Sequence, residues 1–145
     1  MRTVLDARAL HVELSRVLGE PAHLRPSLTL VVLQLEEQGS SGPSAAGERS
    51  LLESLASVAA ERLRKVDVVA LLDDRTLAVL LVGASPGAAE SVVAGLEELL
   101  RPLLADDALA HGLSGAFDGI DGVTLVAAAR ADLQRRAERR ELTRL

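Results

Sequence analysis

The 145-residue chain contains no cysteine, tryptophan, tyrosine or asparagine, and only one phenylalanine (Phe117), one lysine (Lys65) and one methionine. Without cysteine there is no disulfide framework and no thiolate metal site. With almost no aromatic residues, the core must pack on aliphatic contacts. Hydrophobic residues make up 48% of the chain, yet no apolar run approaches the roughly 18–20 residues needed to span a bilayer, so no membrane insertion is expected. The first eight residues, Met-Arg-Thr-Val-Leu-Asp-Ala-Arg, hold no apolar signal core and no small-residue cleavage site. A cytoplasmic protein is the simplest expectation. The formal charge of −5 argues against general nucleic-acid binding, which depends on neutralising phosphates. No G-x-S-x-G, Walker-type loop or paired Cys/His constellation is present. His11, His23 and His111 lie on three different predicted elements without ligand spacing.

What is present is a legible succession of elements. Apolar positions Leu10, Leu14, Val17 and Leu18 predict an amphipathic helix over residues 6–18, stopped by Gly19 and Pro21. Residues 28–35 form a run apolar on both faces, which predicts a strand central in its sheet. Gly and Ser mark residues 39–47 as a loop, and Leu51, Leu52, Leu55, Val58, Ala59 and Leu63 share one face of a helix over about 48–65. Two apolar runs, 66–72 and 76–82, flank the polar-rich residues 73–76 and predict a β-hairpin. Ser85-Pro86 opens the next helix, whose end Pro102 should kink or shorten. Residues 109–117 predict a weaker strand, and a last helix begins near 122. Arg130, Arg135, Arg136, Arg139, Arg140 and Arg144 concentrate in that helix. Asp132, Glu138 and Glu141 alternate with them, and Asp132 is spaced to pair with Arg135 or Arg136, so a solvated face is favoured over an anion-binding patch.

The order α-β-α-β-β-α-β-α places a split β-α-β-β-α-β unit at the centre. The expected fold is α+β: a ferredoxin-like palm core with N- and C-terminal helices, its helices mainly on one face, forming a single domain over residues 1–145. Right-handed crossover makes the first two strands of that unit parallel and inserts the third antiparallel between them. The end of the first strand (Gln34, Leu35, Glu36) then meets the hairpin turn at residues 73–76.

The hairpin resembles that of GGDEF domains, the bacterial diguanylate cyclases. Their phrase runs roughly Arg-x-x-Asp-x-x-Ala-Arg-x-Gly-Gly-Asp-Glu-Phe-Ala-x-Leu-Leu. Arg64-x-x-Asp67 and Ala78-Val79-Leu80-Leu81 match in register, while the five signature positions hold Asp73, Asp74, Arg75, Thr76 and Leu77. The likeness extends over about residues 7–142. Ala7-Arg8-Ala9-Leu10 is similar to the opening of the family's first helix, Leu33-Gln34-Leu35-Glu36 to its Leu-Asp-Leu-Asp strand, and Leu113-Ser114-Gly115-Ala116 to its Ser-Ile-Gly-Val strand. Residues 133–137 fall in the region of its closing helix. The family's last short strand has no counterpart before Leu145.

Diguanylate cyclases join two GTP molecules using Mg²⁺, a hard cation that takes carboxylate oxygens. The resemblance puts Gln34 at the family's metal-binding aspartate and Arg75 at an acidic signature position. It also puts Asp73 and Asp74 where glycines let the backbone approach the nucleotide, and it shortens the guanine-contacting loop. A catalytically inactive signalling module, with no catalytic residue, cofactor or metal, is the expectation. The rival enzymatic reading is a relocated metal site built from Glu36, Glu37, Asp73 and Asp74.

Arg64 and Asp67 match the family's inhibitory Arg-x-x-Asp site for cyclic di-GMP. The resemblance therefore implies a receptor in which guanidinium contacts guanine or phosphate oxygens and carboxylate accepts guanine N–H donors. The second arginine that completes the family's site has no counterpart at residues 94–96. The alternative is a purely protein-binding adaptor, with Gln34, Glu36, Asp73, Asp74, Arg75 and Thr76 facing a protein partner or a second copy in a homo-oligomer.

Overall fold

The computed structural model describes residues 4–36, 45–104 and 108–143. The predicted loop at 39–47 lies largely outside them, as do Glu37 and Arg144. Strand β1 (Leu5–Asp6) leads into helix α1 (Ala7–Leu18), and a short 3-10 turn (Ala22–Leu24) precedes β2 (Leu28–Glu36). Then follow α2 (Ala45–Arg62), β3 (Val68–Asp73), β4 (Thr76–Val82), α3 (Pro86–Leu104), β5 (Ala108–Gly115) and α4 (Gly122–Thr143). The sheet order is β1-β3-β4-β2-β5. β4 runs antiparallel to both β2 and β3, so β2 and β3 are parallel with β4 between them, and β5 lies antiparallel on the other side of β2. The expected palm core is present, flanked by α1 and α4.

Local chemistry explains the element ends. Asp6 caps α1, its Oδ1 accepting from Ala9 N at 2.7 Å, and Ser85 Oγ accepts from Ala88 N at 3.2 Å at the start of α3. Gly19 ends α1 in right-handed conformation, its N–H bound to Ser15 O at 3.0 Å. The predicted hairpin strand 66–72 starts two residues late, at Val68. The reason is a turn at its entry: Asp67 N donates to Arg64 O at 3.0 Å, and Val66 is exposed. α3 runs through Pro102 to Leu104, beyond the expected early stop. Leu100 and Leu104 are buried, and near a helix end the proline forfeits only one late-turn hydrogen bond. The weak strand ends at Gly115 instead of 117, and Phe117 is largely exposed in the connection that follows.

The expectation that helices lie mainly on one face is wrong. Successive residues of β2 split between two cores. Val31, Leu33 and Leu35 meet α2 and α3 through Leu52, Leu55, Val93 and Leu100, whereas Leu28, Leu30 and Val32 meet α1 and α4 through Leu10, Leu14, Leu125 and Ala129. Period-two alternation sends neighbours to opposite faces, and a strand apolar on both faces requires a cover on each. The α4 cover depends on Gly112: a Cβ there would lie 2.3 Å from Leu133 N and 2.4 Å from Ala129 O. Only a residue without a side chain lets helix and strand backbones approach so closely.

Candidate functional site

The end of β2 meets the hairpin turn as expected. Gln34 is the register partner of Thr76, and Leu35 N donates to Arg75 O at 2.9 Å. The turn is tightened from inside, Asp73 Oδ1 accepting from Arg75 N at 2.9 Å. A cleft of ≈ 130 Å³ opens alongside, lined by Val32, Gln34, Thr76, Arg130, Leu133 and Gln134.

Each carboxylate around this turn that the structure describes is bound by an arginine of the same chain. Asp73 Oδ2 accepts from Arg130 Nη2 of α4 at 3.2 Å, and Asp74 Oδ1 from Arg49 Nη1 of α2 at 3.1 Å. Glu36 Oε1 accepts from Arg140 Nη2 at 3.1 Å, and Glu48 Oε2 lies 3.6 Å from Arg75 Nε. Burial raises the Asp73 carboxyl, but the Arg75 amide and the Arg130 guanidinium are among the groups that outweigh it and hold it below the ordinary carboxylate range. Among the described residues no group of three His, Asp or Glu side chains is placed to hold a metal ion. The donors do not fit the Mg²⁺ of a cyclase: an amide and a hydroxyl face the cleft, and the nearby acids are already neutralised. Of the four arms of the relocated metal site, Glu36, Asp73 and Asp74 each pair with an arginine, and the fourth, Glu37, lies outside the described residues.

Arg64 and Asp67 are brought together. Arg64 Nε is 3.5 Å from Asp67 Oδ2, and the guanidinium also donates to Val82 O. The Asp67 side chain is only 3% exposed. Its Oδ2 accepts from Arg64 N at 3.1 Å and its Oδ1 from Val82 N at 3.0 Å. The carboxylate therefore stitches the end of α2 to the end of β4, whereas the Arg64 side chain remains 64% exposed.

The arginines of α4 are mostly paired. Arg136 Nε donates to Asp132 Oδ2 at 2.8 Å, Arg135 Nη2 to Asp132 Oδ1 at 3.1 Å, and Arg136 Nη2 to Glu90 of α3. Asp132 Oδ2 also accepts from Leu113 N at 2.9 Å, capping an amide of the outer strand β5. His111 joins this network at the sheet edge, 3.2 Å from Glu90 and 3.1 Å from Glu97. Sequence spacing indicated the Asp132 pairs. The Glu90 and His111 contacts had no local signal, because their partners come from different elements.

No family model and no curated protein sequence matches the chain. Solved structures do. The FimX GGDEF domain from Pseudomonas aeruginosa superposes with a TM-score of 0.75 at 17% identity, covering 94% of this chain and 90% of that one. The GGDEF domain of DgcB from Caulobacter crescentus, solved with c-di-GMP, gives 0.70 at 16% identity over 93% and 84%. The diguanylate cyclase SiaD of P. aeruginosa, solved with its activator SiaC, gives 0.75 at 16% identity over 92% of this chain and 55% of that one, so the present chain spans about half of SiaD. The chain has the GGDEF-domain fold. No helix among the described residues is long and apolar enough to cross a membrane.

Proposed function

We propose that residues 1–145 form one catalytically silent GGDEF-fold module, without metal or cofactor, that signals through contact with a protein partner or a second copy. The observation that carries this reading is the charge closure of the signature edge. Gln34 and Thr76 meet where a cyclase needs an acid, and Asp73, Asp74, Glu36 and Glu48 each face an arginine of the chain itself. Phosphoryl chemistry needs cations positioned on the nucleotide, and here the acids that would hold them are spent on internal pairs. SiaD, about half of which this chain spans, is solved with a protein activator, which supports a protein partner for this fold. The signature edge offers a polar contact surface of mixed charge, suited to salt-sensitive recognition. A cytoplasmic setting accords with this role.

Incubation of the purified protein with GTP and Mg²⁺ or Mn²⁺ tests the first half. No cyclic di-GMP above background is expected, and turnover abolished by Asp73→Ala or Glu36→Ala would overturn the reading in favour of a relocated metal site.

A second reading rests on Arg64. Its guanidinium is mostly exposed beside Asp67, and the DgcB domain is solved with c-di-GMP. Because the Asp67 oxygens already accept two backbone amides, the ligand would depend on Arg64 alone for its charged contact. Affinity no tighter than micromolar, about −8 kcal/mol, is expected. Titration calorimetry with wild type and Arg64→Ala decides it: no heat, or equal heats from both proteins, removes the receptor reading.

A further inference from the structure

β5 is an outer strand: among the described residues it pairs only with β2. Two hydrogen bonds fix which side its backbone groups face. Leu35, the register partner of Leu109, sends its N–H away from β5 to Arg75 O, and Leu113 N turns outward to Asp132. Alternation along the ladder therefore puts the N–H and C=O groups of Leu109, His111 and Leu113 on the outer side. Such a row is a template on which another strand can add. A groove of ≈ 320 Å³ beside it, lined by Glu97, Leu109, Ala110, His111, Arg136 and Arg140, leaves room along the edge. Helices reach this edge from both faces. α3 packs on the face that holds Leu113 and α4 on the face that holds Ala110, so a contact between them has to go round the outer strand. Arg136 of α4 makes it. Its Nε is anchored on Asp132 at 2.8 Å, its Nη1 lies 2.9 Å from His111 Nε2, and its Nη2 donates to Glu90 of α3. His111 Nδ1 lies 3.1 Å from Glu97 Oε1, further along α3.

We infer that the Glu90–His111–Arg136 clasp is an edge guard: it crosses the rim of β5 where a second copy of this chain would add a strand, and keeps that edge unpaired. Both side chains of the Glu90–Arg136 pair are about a third or more exposed, at 42% and 34%, so the pair contributes little to stability. Its path across the rim is what sets it apart. The excluded occupant is a second copy because the outward groups match themselves. In antiparallel pairing about a twofold axis, Leu109 of each copy faces His111 of the other, and both satisfy their N–H and C=O groups. The same axis brings Glu90 and Glu97 of both copies onto one face, a like-charge contact that also opposes pairing.

The test compares full-length wild type and Arg136→Ala at neutral pH by sedimentation velocity over a range of concentrations, and by quenched amide hydrogen exchange read residue by residue with NMR. Arg136→Ala should shift to a faster-sedimenting, concentration-dependent species beyond any that wild type forms. In that species the Leu109 and His111 amides should exchange more slowly than in wild type, because they have gained strand partners. An Arg136→Ala protein that sediments as wild type does overturns the inference. So does one that associates while those two amides exchange as fast as before, since its contact then lies elsewhere on a loosened surface. Should Arg136→Ala fail to fold, Glu90→Ala replaces it: the position is exposed and helical, where alanine is favoured, and the same two outcomes decide. Neither readout involves GTP or cyclic di-GMP, so the result stands apart from the proposal of catalytic silence.

Discussion

Replacing Asp67 by alanine separates a scaffold role from a ligand role. The carboxylate holds two backbone amides, Arg64 N at 3.1 Å and Val82 N at 3.0 Å, with a side chain only 3% exposed. Alanine leaves both amides without their acceptor. An unsatisfied buried group costs about 1–3 kcal/mol, and because both sites are only partly buried, water offsets some of it. The sum is a loss of about 2–4 kcal/mol. The nearby Arg64 guanidinium adds little, since it is 64% exposed and its pair is screened. Asp67→Asn keeps one carbonyl acceptor and the same shape, so about half the loss is expected from it. Arg64→Ala should cost about 1 kcal/mol or less. Urea denaturation followed by far-UV circular dichroism is the suitable assay, because a chain without tryptophan or tyrosine lacks the usual fluorescence probe. If Asp67→Ala unfolds within about 0.5 kcal/mol of wild type, the range of an ordinary surface substitution, the carboxylate is not the stitch described.

Gly112→Ala drives a methyl group to 2.3 Å from Leu133 N and 2.4 Å from Ala129 O, both backbone atoms, so α4 must shift; a loss of about 3 kcal/mol or more, or failure to fold, is expected in the same denaturation assay. Acid should weaken the α3–β5–α4 network. The Arg136 hydrogen bond holds Glu90 below its ordinary value, and at Asp132 burial pushes upward but the Leu113 amide and both arginines outweigh it. A lowered folded-state value means stabilisation that is complete above the ordinary carboxylate range and is lost as pH falls through the folded value. Melting temperature should therefore drop on acidification below about pH 4.5, and Asp132→Asn should flatten part of that drop.

Much of the architecture was legible from order and spacing. The both-face apolar run at residues 28–35 announced the central strand Leu28–Glu36, and the polar break at residues 73–76 announced the hairpin. The split βαβ order placed the end of the first long strand, residues 34–36, beside the hairpin turn at 73–76; the exact register, Gln34 opposite Thr76, came with the folded sheet. Strand β1 was not legible, because two residues carry no periodicity and Leu5 and Asp6 are strand only by pairing with Ala70 and Leu71. The distribution of helices was also misjudged: each helix shows its own apolar face, but which side of the sheet it covers depends on the path of its connections. The same division runs through the candidate site. The sequence alone determined which residues stand at the signature positions, and the i,i+4 spacing determined that Arg136 reaches Asp132. The tertiary structure decided that Asp73 meets Arg130, Asp74 meets Arg49 and Glu36 meets Arg140, pairs separated by 57, 25 and 104 positions along the chain. It also decided that Asp67 faces inward to two amides. Periodicity records which side of an element avoids water, and that is a local property. A charge carries no label for its partner, so which arginine closes on which acid is determined only when strands and helices from distant parts of the chain arrive at the same edge.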